Sequence, residues 1–428
     1  MAYIVLTIAI LGYLLIIFES PFKINKTITA ILTGSLCWVF FALFYEGDQH
    51  LLSEKLSGHF GEIAGLLIFL LGAMTIVELI DLHKGFSVIT HRIRTKSVLK
   101  LLWIVGIVTF FMSALLDNLA TAIIMITLLK KLMPRGEVRM TLAGIVVIAA
   151  NAGGAFSPIG DVTTTLLWIG GQVSALGIVK ILFIPSILVL LVPLIIASFR
   201  MNGFAVLRVQ LSMAELIQEE KMKGSLSVLL AGAFGLVMVP VIKAITGLPP
   251  FIGVLIALGF VALVSLVYHR EKPQAVKDSY SVAHALSKVD VSSILYFMGI
   301  LLMVYALQDI QILSALAVFL QENLPNINTM IISIGVLSSI VDNGSLVAAT
   351  QAMFPLSEFP MDHSLWEFIA LCAGTGGSML IIGSAAGIAV MEKEKITFIW
   401  YLKKITPLAV AGYIAGIVAY ILIDLLVH

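Results

Sequence analysis

SALLDNLATA (113–122) and SSIVDNGSLVA (338–348) decide how this chain folds. Each sets an Asp-Asn pair, Asp117-Asn118 or Asp342-Asn343, in the middle of an otherwise apolar stretch, 98–133 or 327–356. Two further segments, NAGGAFSPIGDVTTT (151–165) and GTGGSMLIIGSAAG (374–387), interrupt long apolar runs. Gly153, Gly154, Gly160, Gly376, Gly377, Gly383 and Pro158 supply the non-helical backbone there. Unpaired backbone groups cannot face lipid, so each break must line a cavity or pack inside protein.

The surroundings of these breaks are a membrane chain. Of 428 residues, 60% are hydrophobic and 12% charged, against about 25% charged in soluble domains. A mean hydropathy of +1.08 exceeds what a globular core can hide. At about 20 apolar residues per crossing, spans are predicted near 3–18, 27–45, 62–82, 139–171 (interrupted), 178–199, 225–242, 250–268, 290–308, 364–390 (interrupted) and 405–427. The apolar N-terminus lacks the basic start and small-residue cleavage site of a secretory signal, so it reads as the first span. A net charge of +1 offers nothing to nucleic acid. Two cysteines, Cys37 and Cys372, both in apolar runs, exclude a disulfide framework or Cys-rich metal site.

Basic residues near span ends stay cytoplasmic. Lys23 and Lys26 put the first loop inside, and the acidic loop 46–61 falls outside. Lys84, Arg92, Arg94, Lys96 and Lys100 return the chain to the inside. The stretch 98–133 then has basic residues at both ends, finishing with Lys130, Lys131, Arg135 and Arg139, so it reads as a re-entrant hairpin entering from the cytoplasm. The second half is the mirror image. Arg270, Lys272, Lys277 and Lys288 lie inside, no Lys or Arg follows from Val289 to Glu392, and 327–356 therefore enters from outside. Lys393, Lys395, Lys403 and Lys404 lie inside again, and the strip 391–404 reads as a cytoplasmic arm.

The two Asp-Asn pairs lie 225 residues apart, and Gly153-Gly154 and Gly160 lie 223 residues before Gly376-Gly377 and Gly383. The expected fold is an all-α polytopic membrane protein: two inverted repeats of five transmembrane helices each, with two opposed re-entrant hairpins and two interrupted helices. The repeats span 1–205 and 225–428, a cytoplasmic linker 206–224 joins them, and both termini lie outside. Inverted repeats with broken helices are the signature of secondary transporters.

Side chains in the breaks select the cargo. Asp117, Asp161 and Asp342 are carboxylates at membrane depth, where charge is costly unless paired or hydrated, and no Lys or Arg shares their breaks. Asn118, Asn151, Asn343, Thr163, Thr164 and Ser338, with Ser378 and Ser384 in second rank, offer neutral oxygens beside them. A hard cation can neutralise such a site, and so can a proton, because burial disfavours the ionised carboxyl. One site that takes either ion and alternates its access is an exchanger. Plainer roles exist for each residue: Asp117 and Asp342 as caps of the helices that follow them, Asp161 as a cap through the Thr163 and Thr164 amides, and Glu78, Asp81 and Lys243 as span-end charges. A proton- or sodium-coupled carrier of an oxyanion or dicarboxylate is the rival transporter, and would favour Arg or Lys near the breaks. An intramembrane enzyme is disfavoured, since the histidines at 50, 59, 83, 91, 269, 284, 363 and 428 fall in predicted loops or at span ends.

SALLDNLATAIIM, NAGGAFSPIGDVTTTLLW, SSIVDNGSLVAAT and GTGGSMLIIGSAAGIAV, in this order, resemble the NhaD-type sodium/proton antiporters of the ion-transporter superfamily. The resemblance covers nearly the whole chain. It implies a homodimer in the lipid of a bacterial inner membrane, and Na⁺ or Li⁺ exchanged for H⁺ most strongly at alkaline pH. It implies no cofactor beyond the transported ions. It also implies a scaffold of spans 1–3 and their repeat mates, beside which the remaining elements slide as an elevator. The cation role it implies falls on Asp117, Asn118, Asn151, Asp161, Thr163, Thr164, Ser338, Asp342 and Asn343. A lesser resemblance reaches arsenite permeases and sodium–dicarboxylate carriers; the carriers have Ser-Asn-Thr where this chain has Asp-Asn. Gly374 and Ser384 stand where the first half has Asn151 and Asp161, so the site is expected to lean on the first half.

Overall fold

The computed structural model describes residues 2–17, 25–90, 95, 97–201, 224–324 and 326–427. The linker 206–224, apart from Gly224, lies outside the described residues, as do Lys23, His91, Arg92, Arg94, Lys96 and His428. The first half runs α1 (Ala2–Ile17), α2 (Lys26–Leu43), α3 (Gln49–Leu82), α4 (Val98–Ser113), α5 (Asn118–Leu132), α6 (Glu137–Ala155), α7 (Val162–Ile169) and α8 (Ala175–Met201). The second runs α9 (Ser225–Thr246), α10 (Pro250–His269), α11 (Val291–Asp309), α12 (Ile312–Asn323), α13 (Ile327–Leu337), α14 (Asn343–Met353), α15 (Ser364–Gly376), α16 (Ala385–Glu394) and α17 (Thr406–Val427).

The chain is an all-helical, multi-pass membrane protein. Among the described residues, eight helices are long and apolar enough to cross a bilayer. Large apolar side chains such as Leu32, Phe199, Phe234 and Leu263 point outward from α2, α8, α9 and α10, where water would penalise them and lipid does not. Burial grades inward: the apolar window of α10 is 28% buried and that of α6 is 83% buried, so α6 runs through the centre.

Packing separates two groups. In one, α2 lies along α11, α9 along α10 and α10 along α3; in the other, α8 lies along α17, α4 along α6 and α13 along α15. The second group repeats its own contacts. Ser113 Oγ donates to the Ala150 carbonyl at 2.7 Å, and Ser338 Oγ donates to the Ala373 carbonyl at 2.6 Å. Gly153 lies against the Phe110 carbonyl, and Gly376 lies in the same way against the Gly335 carbonyl. At these two glycines the backbones approach so closely that a Cβ has no room.

Three expectations change. The third span is not confined to 62–82: α3 has 34 residues, begins at Gln49, and is capped by Asp48, which accepts from the His50 amide at 2.9 Å. At 1.5 Å per residue it is about 51 Å long, well beyond a hydrocarbon core of about 30 Å. The predicted loop 46–61 is therefore mostly helix, and His50 and His59 ride on it. Helix α12 had no counterpart in the predicted spans; its 12 residues are too short to register as a crossing, and it buries Leu313 and Ala317. The strip 391–404 is not one arm: α16 ends at Glu394, Lys395 takes a left-handed φ of 50°, and a separate helix covers Phe398–Lys404.

Candidate ion-binding site

The four breaks lie at 114–117, 156–161, 338–342 and 377–384. Each ends in a residue with a short polar side chain at a helix N-terminus, where orphan backbone N–H groups need an acceptor. Asp117 fills that role for α5, its Oδ1 accepting from the Ala120 amide at 2.7 Å. Asp342 does so for α14, accepting from the Ser345 amide and hydroxyl, both at 3.2 Å. Ser384 caps α16 through the Gly387 amide at 3.2 Å.

Asp161 differs. It sits at the N-cap position of α7 but makes no side-chain cap hydrogen bond. Its carboxylate, 2% exposed, is turned into the protein. Oδ1 accepts from Asn118 Nδ2 at 3.2 Å; Oδ2 accepts from Thr163 Oγ1 at 2.8 Å and from Asn343 Nδ2 at 3.2 Å. Asn118 Nδ2 also lies 3.1 Å from Asn151 Oδ1, and Asn151 Nδ2 donates to Ser384 Oγ at 3.1 Å. Asn343, Asp161, Asn118, Asn151 and Ser384 thus form one buried chain with a member in, or directly beside, every break.

The other sequence candidates serve the breaks themselves. Thr164 Oγ1 donates to the Ala155 carbonyl at 3.1 Å, across the first interruption. Ser338 is stapled to Ala373, and Ser378 Oγ donates to the Thr375 carbonyl at 2.6 Å. Carbonyls freed by the breaks also find partners that no local motif marks: Thr165 reaches Pro158 at 3.0 Å, Tyr401 reaches Ser378 at 2.8 Å, and Thr406 reaches Met379 at 2.6 Å.

Charged contacts join the two halves at a distance from this chain. Arg139 Nε donates to Glu394 Oε2 at 2.9 Å, with side-chain exposures of 10% and 0%. Sequence alone makes Arg139 a basic residue at a span end and puts Glu394 in the solvated strip 391–404; the structure buries them against each other. Elsewhere, Asp362 accepts from the Ser174 amide at 2.6 Å. Lys243 Nζ donates to the Trp168 carbonyl at 2.6 Å and lies 4.7 Å from the centre of that indole, so it is more than a span-end charge. Among the described residues, no group of three His, Cys, Asp or Glu side chains is placed to hold a metal. The oxygens around Asp161 are those of amides and hydroxyls, a donor set suited to a hard cation rather than a soft transition metal.

Residues 13–366 match the family model described as "Citrate transporter". The chain is 30% identical over 450 residues to the Na(+)/H(+) antiporter NhaD of Vibrio cholerae, covering 99% of this chain and 92% of that one. The chain belongs to this citrate-transporter family, together with the NhaD-type sodium/proton antiporters. A second NhaD antiporter, from Alkalimonas amylolytica, is 30% identical over 98% of this chain and 90% of its own. Sodium/proton antiporter 1 of Arabidopsis thaliana is 45% identical over 96% of this chain and 70% of its own length. The fold is also that of the Alcanivorax borkumensis YdaH transporter, with a TM-score of 0.61 at 11% identity, over 94% of this chain and 99% of that one. An NhaD-type chain is a transporter and not an enzyme.

Proposed function

We propose that this chain exchanges Na⁺, or Li⁺, for H⁺ by alternating access to a single site centred on Asp161. The observation that carries the reading is a buried carboxylate whose side-chain hydrogen-bond partners are two amides and a hydroxyl, with no Lys or Arg among them. In this arrangement three donors satisfy an ion-free carboxylate. Turning the Asn118 and Asn343 amides by half a rotation replaces two donors with two carbonyl oxygens, which is what a cation on Asp161 needs. A proton on the same carboxyl excludes the cation by neutralising it. The two fluxes are coupled by competition, without a separate proton path.

Asp117 and Asp342 keep their caps and add negative potential that favours either cation over an anion. The group containing α4–α8 and α13–α17 is the moving unit, tied across its halves by Arg139–Glu394 and Ser174–Asp362. The group containing α1–α3 and α9–α11 is the scaffold and homodimer face. The recurring contacts at offsets of 225 and 223 residues support two repeats, and the charge bias supports their inversion, opposed re-entrant hairpins, and termini outside a bacterial inner membrane. NhaD-named relatives support the ion pair exchanged.

Citrate uptake is the rival that the family description raises. An anion site calls for cationic side chains or helix N-termini free to donate, whereas three of the four helix N-termini here are capped by Asp117, Asp342 and Ser384 and the centre is itself an anion. Purified protein in liposomes with a trapped pH dye decides between them. Collapse of an imposed pH gradient by NaCl or LiCl and not by choline chloride, lost in Asp161→Asn, supports exchange. No response to any cation, with uptake of labelled citrate, would replace it.

A further inference from the structure

A cavity of about 670 Å³ opens between the two packing groups. One wall is the scaffold: the start of α2 at Asn25 and Thr27, and the start of α11 at Asp290. The other is formed by Leu119 and Ile123 of α5 and by Ala385 and Ala389 of α16. Two positions matter most. Leu119 directly follows Asn118, and Ala385 directly follows Ser384, so the cavity wall stops one residue short of both ends of the buried Asn118–Asn151–Ser384 run.

Its outer margin carries Lys26, Asp290, Glu392 and Lys393. Ionised side chains of both signs, facing Leu, Ile and Ala across a gap, belong beside water and not beside acyl chains. The volume has room for on the order of 20 waters at about 30 Å³ each. Lys26 and Lys393 lie in segments that charge bias puts in the cytoplasm, and Asp290 follows the basic loop ending at Lys288.

We propose that this cavity is the aqueous access path from the cytoplasm to the Asp161 chain. The fold is then the inward-facing state, with Leu119, Ile123, Ala385 and Ala389 as the wall that slides past the scaffold when the site turns outward. The assignment rests on the transport reading above. It adds the side from which the site is reached in this state, and the residues that line the route.

Cysteine accessibility tests it without measuring transport. In a background carrying Cys37→Ser and Cys372→Ala, Ala389→Cys and Ile123→Cys are introduced separately. Each is treated with a charged, membrane-impermeant methanethiosulfonate in right-side-out and inside-out vesicles, with Lys277→Cys marking the face of the loop 269–288. Reaction of both cysteines from the Lys277→Cys face, and not from the other, is expected. Reaction only from the opposite face, or none from either in protein that remains monodisperse, overturns the access path. Should Na⁺/H⁺ exchange be absent while the labelling pattern holds, the antiport reading fails and the route stands.

Discussion

Asn343 reaches across from the second half of the chain to donate its amide to Asp161 of the first, at 3.2 Å. A hydrogen bond to an ionised group contributes about 1.5–3 kcal/mol. Removing this one with Asn343→Ala, along with the oxygen the rotated amide would offer a cation, is expected to raise the Na⁺ concentration for half-maximal exchange about 10- to 150-fold. Titrating NaCl into liposomes with an imposed pH gradient measures this. An unchanged half-maximal concentration would remove Asn343 from the site.

On the proposed exchange, competition at Asp161 sets the sign of the pH response. Where protons occupy the carboxyl, each unit of acidification is expected to raise the apparent KM for Na⁺ about tenfold while the maximal rate stays reachable at high Na⁺. Asp161→Asn cannot ionise and is expected to abolish exchange, whereas Thr164→Val, which touches the Ala155 carbonyl and not the carboxylate, retains it. A maximal rate that falls with acid and is not recovered by Na⁺ would point to protonation elsewhere.

Arg139 and Glu394 are buried against each other at 2.9 Å. Breaking a buried pair from one side leaves an uncompensated charge and costs about 3–5 kcal/mol. Arg139→Leu alone is expected to lower the thermal midpoint in detergent sharply, and Arg139→Leu with Glu394→Leu to recover most of it. Equal losses in the single and double variants would show that shape, not charge, matters there.

Backbone contact at Gly153 and Gly376 leaves no space for a methyl group. Gly153→Ala and Gly376→Ala are each expected to cost about 1–3 kcal/mol through overpacking. Gly259 on α10 has nothing within 4 Å of where a Cβ would stand. Gly259→Ala is therefore expected to be neutral or slightly stabilising, by the usual helix preference. Thermal midpoints of the three variants make the comparison.

His83, just past the end of α3, packs against His269 and Tyr280 and places Nδ1 2.7 Å from the Leu79 carbonyl. Burial pushes its imidazole below the ordinary value of 6.5, with His269 and Lys272 adding to the effect and the Leu79 carbonyl opposing it. The folded protein thus prefers neutral His83. That contribution to stability is fully present above about pH 6.5 and is lost as pH falls through the lower, folded value. His83→Gln is expected to flatten the drop in thermal midpoint on the acid side; an unchanged slope would assign that drop to other groups.

The places where the chain leaves the helix were legible because Asp-Asn pairs and glycine doublets stand out against apolar sequence. The use of each aspartate was not. Asp117, Asp161 and Asp342 all immediately precede a helix, and local sequence offers each the same cap. Only the tertiary arrangement turns Asp161 inward, by bringing Asn343 to it from 182 residues away. The Arg139–Glu394 pair was hidden for a similar reason, since each residue taken alone resembles a solvated charge at a span end. The full length of α3 is not legible in sequence because His50, Glu54, Lys55 and His59 make its first turns too polar to count as a crossing.

The seams at Gly153 against Phe110 and Gly376 against Gly335 are main chain on main chain, with no side chain between to change rotamer. Such joints have no slack. On the proposed exchange, a unit assembled on them would travel as a rigid cartridge, and the cage around Asp161 would arrive at the far side with the same dimensions it had at the near side. Preference between ions of different radius is then a property of the cartridge and not of the face it shows. The ratio of Li⁺ to Na⁺ half-saturation is accordingly expected to be the same from either side of the membrane, even where their absolute values differ.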